Sequence, residues 1–207
     1  MYSPGVCGAI LATLPQHANE RRAGDPGSQL GAAGTPAQSK AQDVGPLIDA
    51  LNADTEMVLV AAAETADALA PAVWTRAAYL VRLPPGATEA DGLRALLQET
   101  LSRGRDAVLV TTLAGPPLTA VSVGLMVAAY RAAGHEIWAI VSENVPETPE
   151  SQQLAYPMLL GRRMIELFLR GREWRSVQDV LSANREHVHA LNLSDGVSNE
   201  PSAGSLG

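Results

Sequence analysis

The chain has 207 residues, 46% of them hydrophobic and 18% charged, enough for one domain with a full core and ordinary for a globular protein. Its net charge of −7 weighs against non-specific binding to nucleic acid or to an acidic membrane. A single cysteine, Cys7, excludes an internal disulfide framework and a cysteine-based zinc site.

Residues 1–45 are rich in Gly, Pro, Ala, Ser and Gln with almost no periodicity. Such a segment buries too little apolar surface to offset its ordering entropy, so the expectation is a disordered arm. Within it, the apolar run from Val6 to Leu14 has no positive charge ahead of it and does not read as a signal peptide. Pro46 to Leu51 reads as a short helical turn, followed by a strand from Met57 to Ala62. A brief helix from Thr65 is expected to end at Pro71, before a second strand, Ala77 to Leu83. Thr88 and Asp91 form a Thr-x-x-Asp capping box. Leu93, Leu96, Leu97 and Leu101 then line one helical face, and Gly104 is placed to end that helix.

Asp106 to Asn144 reads as one strand–helix–strand unit. An apolar strand, Ala107 to Leu113, meets a Gly-Pro-Pro break; a helix follows, stops at Gly134, and gives way to a strand from Ile137 to Ser142. Leu118, Val121, Leu125, Ala129 and Ala132 make one face of the helix, and Val123, Met126, Val127 and Tyr130 the other. A helix apolar all round calls for cover on both sides, and Gly124, poor in helix propensity, points to close packing. The apolar stretch Leu118 to Tyr130 is shorter than the ~20 residues that span a bilayer, so no membrane association and a cytoplasmic location are expected.

Pro146 and Pro149 break the chain, and two helices are expected after them: Ser151 to Arg170, bent or started near Pro157, and Val177 to Leu191, opened by a Ser176/Asp179 capping box. The stretch from Asn192 to Gly207 resembles the N-terminal arm. The elements indicate an α/β fold, a doubly wound (Rossmann-like) parallel sheet of about four strands with a C-terminal helical pair. It occupies one domain over 46–191, and the helical pair either covers the sheet or forms an interface with a second copy or a protein partner.

Open parallel sheets bind ligands beyond the carboxyl ends of their strands. That rule selects Glu64 and Thr65 after the first strand, Arg82 after the second, Thr111, Thr112 and Gly115 after the third, and Ser142, Glu143 and Asn144 after the fourth. Thr-Thr-Leu-Ala-Gly-Pro-Pro puts two hydroxyls and a glycine ahead of a helix N-terminus, a setting suited to a small anion such as phosphate. Alternatively, Thr111 and Thr112 only cap the strand and Pro117 takes the first helical position. This unit of roughly 40 residues resembles the phosphosugar-binding unit of sugar isomerase (SIS) domains and the third βα unit of the CRISPR-associated nucleotide-sensing (CARF) fold. In both, the ligand loop would fall on Thr111, Thr112 and Gly115; the serines of the first and the paired glycines of the second are missing here.

Catalytic signals are sparse. His135 falls at the amino end of its strand, His187 and His189 do not share a helical face, and Cys7 and His17 fall in the arm. No metal site is indicated. Glu64 and Glu143 are the acid/base candidates at the correct edge, and no G-x-G-x-x-G, Walker or G-x-S-x-G motif occurs. A helix-turn-helix reading of the last two helices meets only six arginines against four acids between Gly161 and Ala190, thin for phosphate binding, so nucleic acid is not the expected partner. The sequence therefore favours a domain binding a small phosphorylated ligand or a protein partner, as a sensor or accessory subunit. A sugar-phosphate isomerase-like or nucleotide-processing enzyme comes second, a DNA-binding regulator third.

Overall fold

The computed structural model describes residues 5–12, 43–134, 136–142, 156–171 and 177–193. The first element is a strand inside the segment expected to be an arm. β1 (Val6–Leu11) is buried along its whole length. It pairs in parallel with β2 (Met57–Ala62) on one side and β4 (Ala107–Thr112) on the other. A strand covered on both faces reads as an unbroken apolar run, and Val6 to Leu11 is one; averaged over a Gly- and Pro-rich window, those six residues lose their signal. The expected boundary at residue 46 is corrected accordingly. Residues 13–42, with His17, lie outside the described residues.

α1 (Gly45–Asn52), α2 (Ala66–Thr75) and α3 (Glu89–Ser102) alternate with β2, β3 (Tyr79–Arg82) and β4. α2 runs through Pro71 instead of ending there. A mid-helix proline costs about 3 kcal/mol, and burial of Leu69, Ala70 and Val73 on the sheet offsets it. The Thr88–Asp91 capping box forms with both reciprocal bonds, and Gly104 follows the helix in the left-handed region at φ 70°.

α4 (Ala120–Ala133) leads to β5 (Ala139–Ser142). It starts at Ala120 with Thr119 as its cap, so Pro117 lies outside it. Beyond it the expected helical pair is largely replaced. β6 (Met158–Gly161) occupies the middle of the first expected helix, leaving α5 (Arg162–Arg170). The second is α6 (Val177–Ala183), a 3₁₀ turn (Arg185–His187) and β7 (Val188–Leu191). Asn184 Nδ2 donates to the Val180 carbonyl, 2.8 Å, where α6 ends. β7 then pairs with the otherwise open edge of β5, and covering an edge is a strong reason for a short segment to turn extended. The Ser176 capping box and Pro146 and Pro149 lie outside the described residues.

The sheet has seven strands, not four, in the order β3-β2-β1-β4-β6-β5-β7. All pairings are parallel except those of β6 with β4 and β5. α1, α2 and α4 cover one face, with Ile10, Ile48, Leu51, Val60, Leu109 and Met126 at its centre. α3, α5 and α6 cover the other, around Leu11, Leu93, Leu97, Val110, Ile165 and Phe168. Phe168 is 4% exposed, so the ring packs within the subunit.

Two measurements test β1. Ile10→Ala should cost about 2–5 kcal/mol in urea unfolding, as for a core position; a change within ~0.5 kcal/mol, typical of the surface, would return this segment to an arm. Burial pushes the Cys7 thiol from 9.0 up to about 12. A group that stays protonated in the fold but ionises in the unfolded chain leaves stability intact below about pH 9 and lowers it from there towards pH 12. Cys7→Ala should remove that alkaline decline, seen as the difference between the two proteins' unfolding curves at pH 7 and pH 10.

Candidate functional site

In the order β3-β2-β1-β4 the connections leave β1 on one side and return on the other at β4, so the sheet's switch point lies between β1 and β4. The carboxyl ends of these strands are in register: Leu11 lies beside Ala61 of β2 and Thr112 of β4. Pairing continues one step further, Ala12 N–H donating to the Ala61 carbonyl at 2.9 Å and Leu113 N–H to the Leu11 carbonyl at 3.2 Å.

Thr111 and Thr112 stand at this point on opposite faces of β4. Thr111 is fully buried, and its Oγ1 has no hydrogen-bond partner among the described residues. After Thr112 the chain turns, Gly115 N–H donating to the Thr112 carbonyl at 3.2 Å. A Cβ at 115 would lie 3.0 Å from Thr112 Oγ1 and 3.9 Å from Thr111 Oγ1, so glycine keeps a side chain off both hydroxyls. The loop continues to Thr119, whose Oγ1 accepts from the Ser122 N–H at 3.1 Å and caps α4.

The other residues selected from the sequence divide. Thr65 joins the switch point, its Oγ1 donating to the Ala12 carbonyl at 3.4 Å. Glu64 turns towards the β3 side, where its Oε1 accepts from the Gly86 N–H at 2.8 Å; that bond holds its carboxyl below the usual range. Arg82 pairs with Asp67 at 2.8 Å in solvent. Ser142 is buried at the end of β5, but β6 stands between β5 and β4, which separates it from Thr111 by two strand spacings, about 9.6 Å. Glu143, Asn144 and His135 lie outside the described residues.

Sequence reasoning missed the ends of β1, because that strand was read as arm, and Tyr156, two residues ahead of β6. The Tyr156 hydroxyl donates to Glu89 Oε1 at 2.9 Å; burial, then the Glu89 charge, raises its pKa. No local motif announces that pair. A cleft of about 620 Å³ lies at the opposite edge, against Met57, Arg76, Tyr79, Arg103 and Arg105. Arg76 and Arg103 follow the ends of α2 and α3, where cations answer the helix dipole. Each arginine has a carboxylate partner: Asp49, Glu99 and Glu56 in turn. The strand ends, not this cleft, hold the unsatisfied group of the switch point.

No family model and no curated protein matches the chain. Solved structures do match. Rv0371c from Mycobacterium tuberculosis H37Rv superposes with a TM-score of 0.62 at 16% identity, over 93% of this chain and 90% of that one. The CMP:2-keto-3-deoxy-manno-octonic acid synthetase solved with CTP gives 0.59 at 11% identity, over 91% and 90%. Glucosyl-3-phosphoglycerate synthase from Mycobacterium tuberculosis, solved with Mn2+, uridine diphosphate and phosphoglyceric acid, gives 0.57 at 13% identity, over 91% and 68%. The chain shares their fold. That fold is a mixed, mostly parallel α/β sheet, and the match extends far beyond the single βαβ unit that resembles SIS and CARF domains.

A divalent cation of the kind bound in the last of these structures is held by several hard oxygen ligands, carboxylates foremost. At this edge the described carboxylates are separately engaged: Glu64 with Gly86, Asp67 with Arg82, Glu89 with Tyr156, Asp91 with Thr88. Among the described residues no three His, Cys, Asp or Glu side chains come together. They do not make a cation site, and no step is assigned to one. No described helix is long and apolar enough to cross a membrane.

Proposed function

We propose that the chain binds the phosphate-bearing part of a nucleotide or phosphosugar at the switch point between β1 and β4, as a nucleotide-processing domain. The Thr111 hydroxyl carries this reading. A buried hydroxyl without a partner costs about 1–3 kcal/mol, and here it lies at the strand ends where open α/β sheets take their ligands. Thr112 adds a second hydroxyl, and Gly115 allows a ligand to approach the backbone. The fold match supports a nucleotide or sugar phosphate as the ligand, since two of the similar structures hold CTP or uridine diphosphate. The described residues supply binding and orientation: hydroxyl donors for phosphate oxygens, and a Thr65–Ala12 bond that ties the β1 and β2 ends beside them. Glu64, already bonded to Gly86, is placed to order the β3–α3 loop rather than to move a proton.

Thr111→Val separates binding from folding. With the unpartnered hydroxyl gone, the free protein should be as stable as the parent or more so, by up to about 1–2 kcal/mol. The stabilisation by ligand, about 2.7 kcal/mol at a hundredfold excess over its dissociation constant, should fall sharply. Gly115→Val should abolish it by crowding Thr112. A thermal-shift series with CTP, UDP, nucleotide sugars and sugar phosphates reads both effects. If Thr111→Val destabilised the free protein, or no member of the series raised the melting temperature, the proposal would fail.

A further inference from the structure

Tyr156 and Glu89 bring a carboxylate to the edge that holds Thr111 and Thr112. Met158 of β6 pairs with Val110 of β4. Tyr156 lies two residues before the first and Thr112 two residues beyond the second. Both therefore stand at one level of the carboxyl edge, about 4.8 Å or one strand spacing apart. Side chains alternate along a strand, so Thr112 shares the face of Val110. Tyr156 packs on that same face, in the cluster with Leu11, Leu93 and Val110. Its ring is buried, and its hydroxyl reaches Glu89 Oε1 at 2.9 Å. Burial and the Glu89 charge raise the phenol's pKa, so the hydroxyl donates and the carboxylate accepts. Glu89 opens α3, but that helix is already capped by Thr88 and Asp91. The loop before it is fixed as well, by the Gly86 bond to Glu64. The carboxylate is thus held in place at an exposed position. Among the described residues its second oxygen, Oε2, has no partner.

We propose that Glu89, oriented by Tyr156, accepts hydrogen bonds from the sugar hydroxyls of the phosphorylated ligand. Resting on the reading of the switch point as a phosphate site, this contact assigns the other end of the ligand. Thr111 and Thr112 offer hydroxyl donors to phosphate oxygens. A carboxylate offers acceptors only, and it repels phosphate, so an uncharged part of the ligand must face it. The O–H donors of a ribose or hexose match that acceptor, in bonds strengthened by its negative charge. Tyr156 takes one oxygen and leaves the other for the ligand, which fixes direction as well as chemistry. Its role is positioning. An untethered glutamate loses rotamer entropy with each bond it forms, whereas one already bonded to a buried phenol loses less. Inorganic phosphate and pyrophosphate satisfy the threonines alone, and a sugar-bearing phosphate satisfies both ends.

Isothermal titration calorimetry of the full chain tests the assignment with UDP, with its dideoxyribose analogue and with pyrophosphate. Glu89→Gln keeps an acceptor for the Tyr156 hydroxyl and turns amide N–H donors outward in place of Oε2. Loss of a negative charge by itself leaves anion binding unchanged or tighter. The expected effects therefore diverge. Pyrophosphate should bind Glu89→Gln at least as well as the parent, while UDP binds it about tenfold to a hundredfold more weakly. The dideoxy analogue should bind Glu89→Gln no worse than it binds the parent. Tyr156→Phe keeps the ring in the core and should weaken UDP about threefold to tenfold, with pyrophosphate unmoved; an equal loss for both would overturn the positioning role. UDP indifferent to Glu89→Gln, or UDP and its dideoxy analogue weakened alike, would overturn the proposal and leave the phosphate site standing. Failure of both UDP and pyrophosphate to bind the parent would instead sink the switch-point reading, and this contact with it.

Discussion

The parallel pairing of β1 with two neighbours at once organises this molecule. Its six residues are buried on both faces, so their backbone N–H and C=O groups have only β2 and β4 as partners. That requirement draws residues 107–112 next to residues 6–11, a hundred positions away in sequence. It also lets α1 settle directly on the strand: a Cβ on Gly8 would lie 2.9 Å from Leu51 Cβ, so only glycine there permits the approach. The switch point exists because β1 holds β2 on one side and β4 on the other.

With the core so closely satisfied, the exceptions are informative. Among the described residues three buried side-chain atoms have no partner: Arg105 Nε, Thr111 Oγ1 and Trp138 Nε1. Arg105 is held through another nitrogen by Glu56. Trp138 stacks on His187 with centroids 3.7 Å apart and lies beneath the Arg163 guanidinium. Thr111 has no comparable compensation, and it alone of the three stands at the carboxyl edge of the sheet. The amino edge, with its paired arginines at helix ends, reads as electrostatic closure of the fold, whereas the carboxyl edge retains donors.

The cap of α4, Thr119, closes the loop that begins at Thr112. The helix is thus tied at its N-terminus to the candidate site and packs along its buried side on the sheet and on α1.

Local signals carried part of this structure. β2 appears where its apolar run stands, β4 within one residue of its expected end, and α3 opens on the capping box written in Thr88 and Asp91. Gly104 and Gly134 stop their helices because both adopt positive φ, 70° and 65°, which side chains resist. Thr111, Thr112 and Gly115 could be singled out because strand direction alone says which end of β4 lies at the edge where open α/β sheets take their ligands. Other features had no local form. Val6–Leu11, Met158–Gly161 and Val188–Leu191 are runs of four to six residues, too short for their periodicity to separate strand from helix. Each became a strand because a distant edge offered hydrogen bonds. The same long-range pairing set Ser142 two strands from Thr111 and left the Thr111 hydroxyl without a partner among the described residues. Hydrophobic pattern and capping chemistry are properties of neighbouring residues and survive in the sequence; strand order, edge cover and the satisfaction of one buried hydroxyl depend on segments that meet only when the chain is folded.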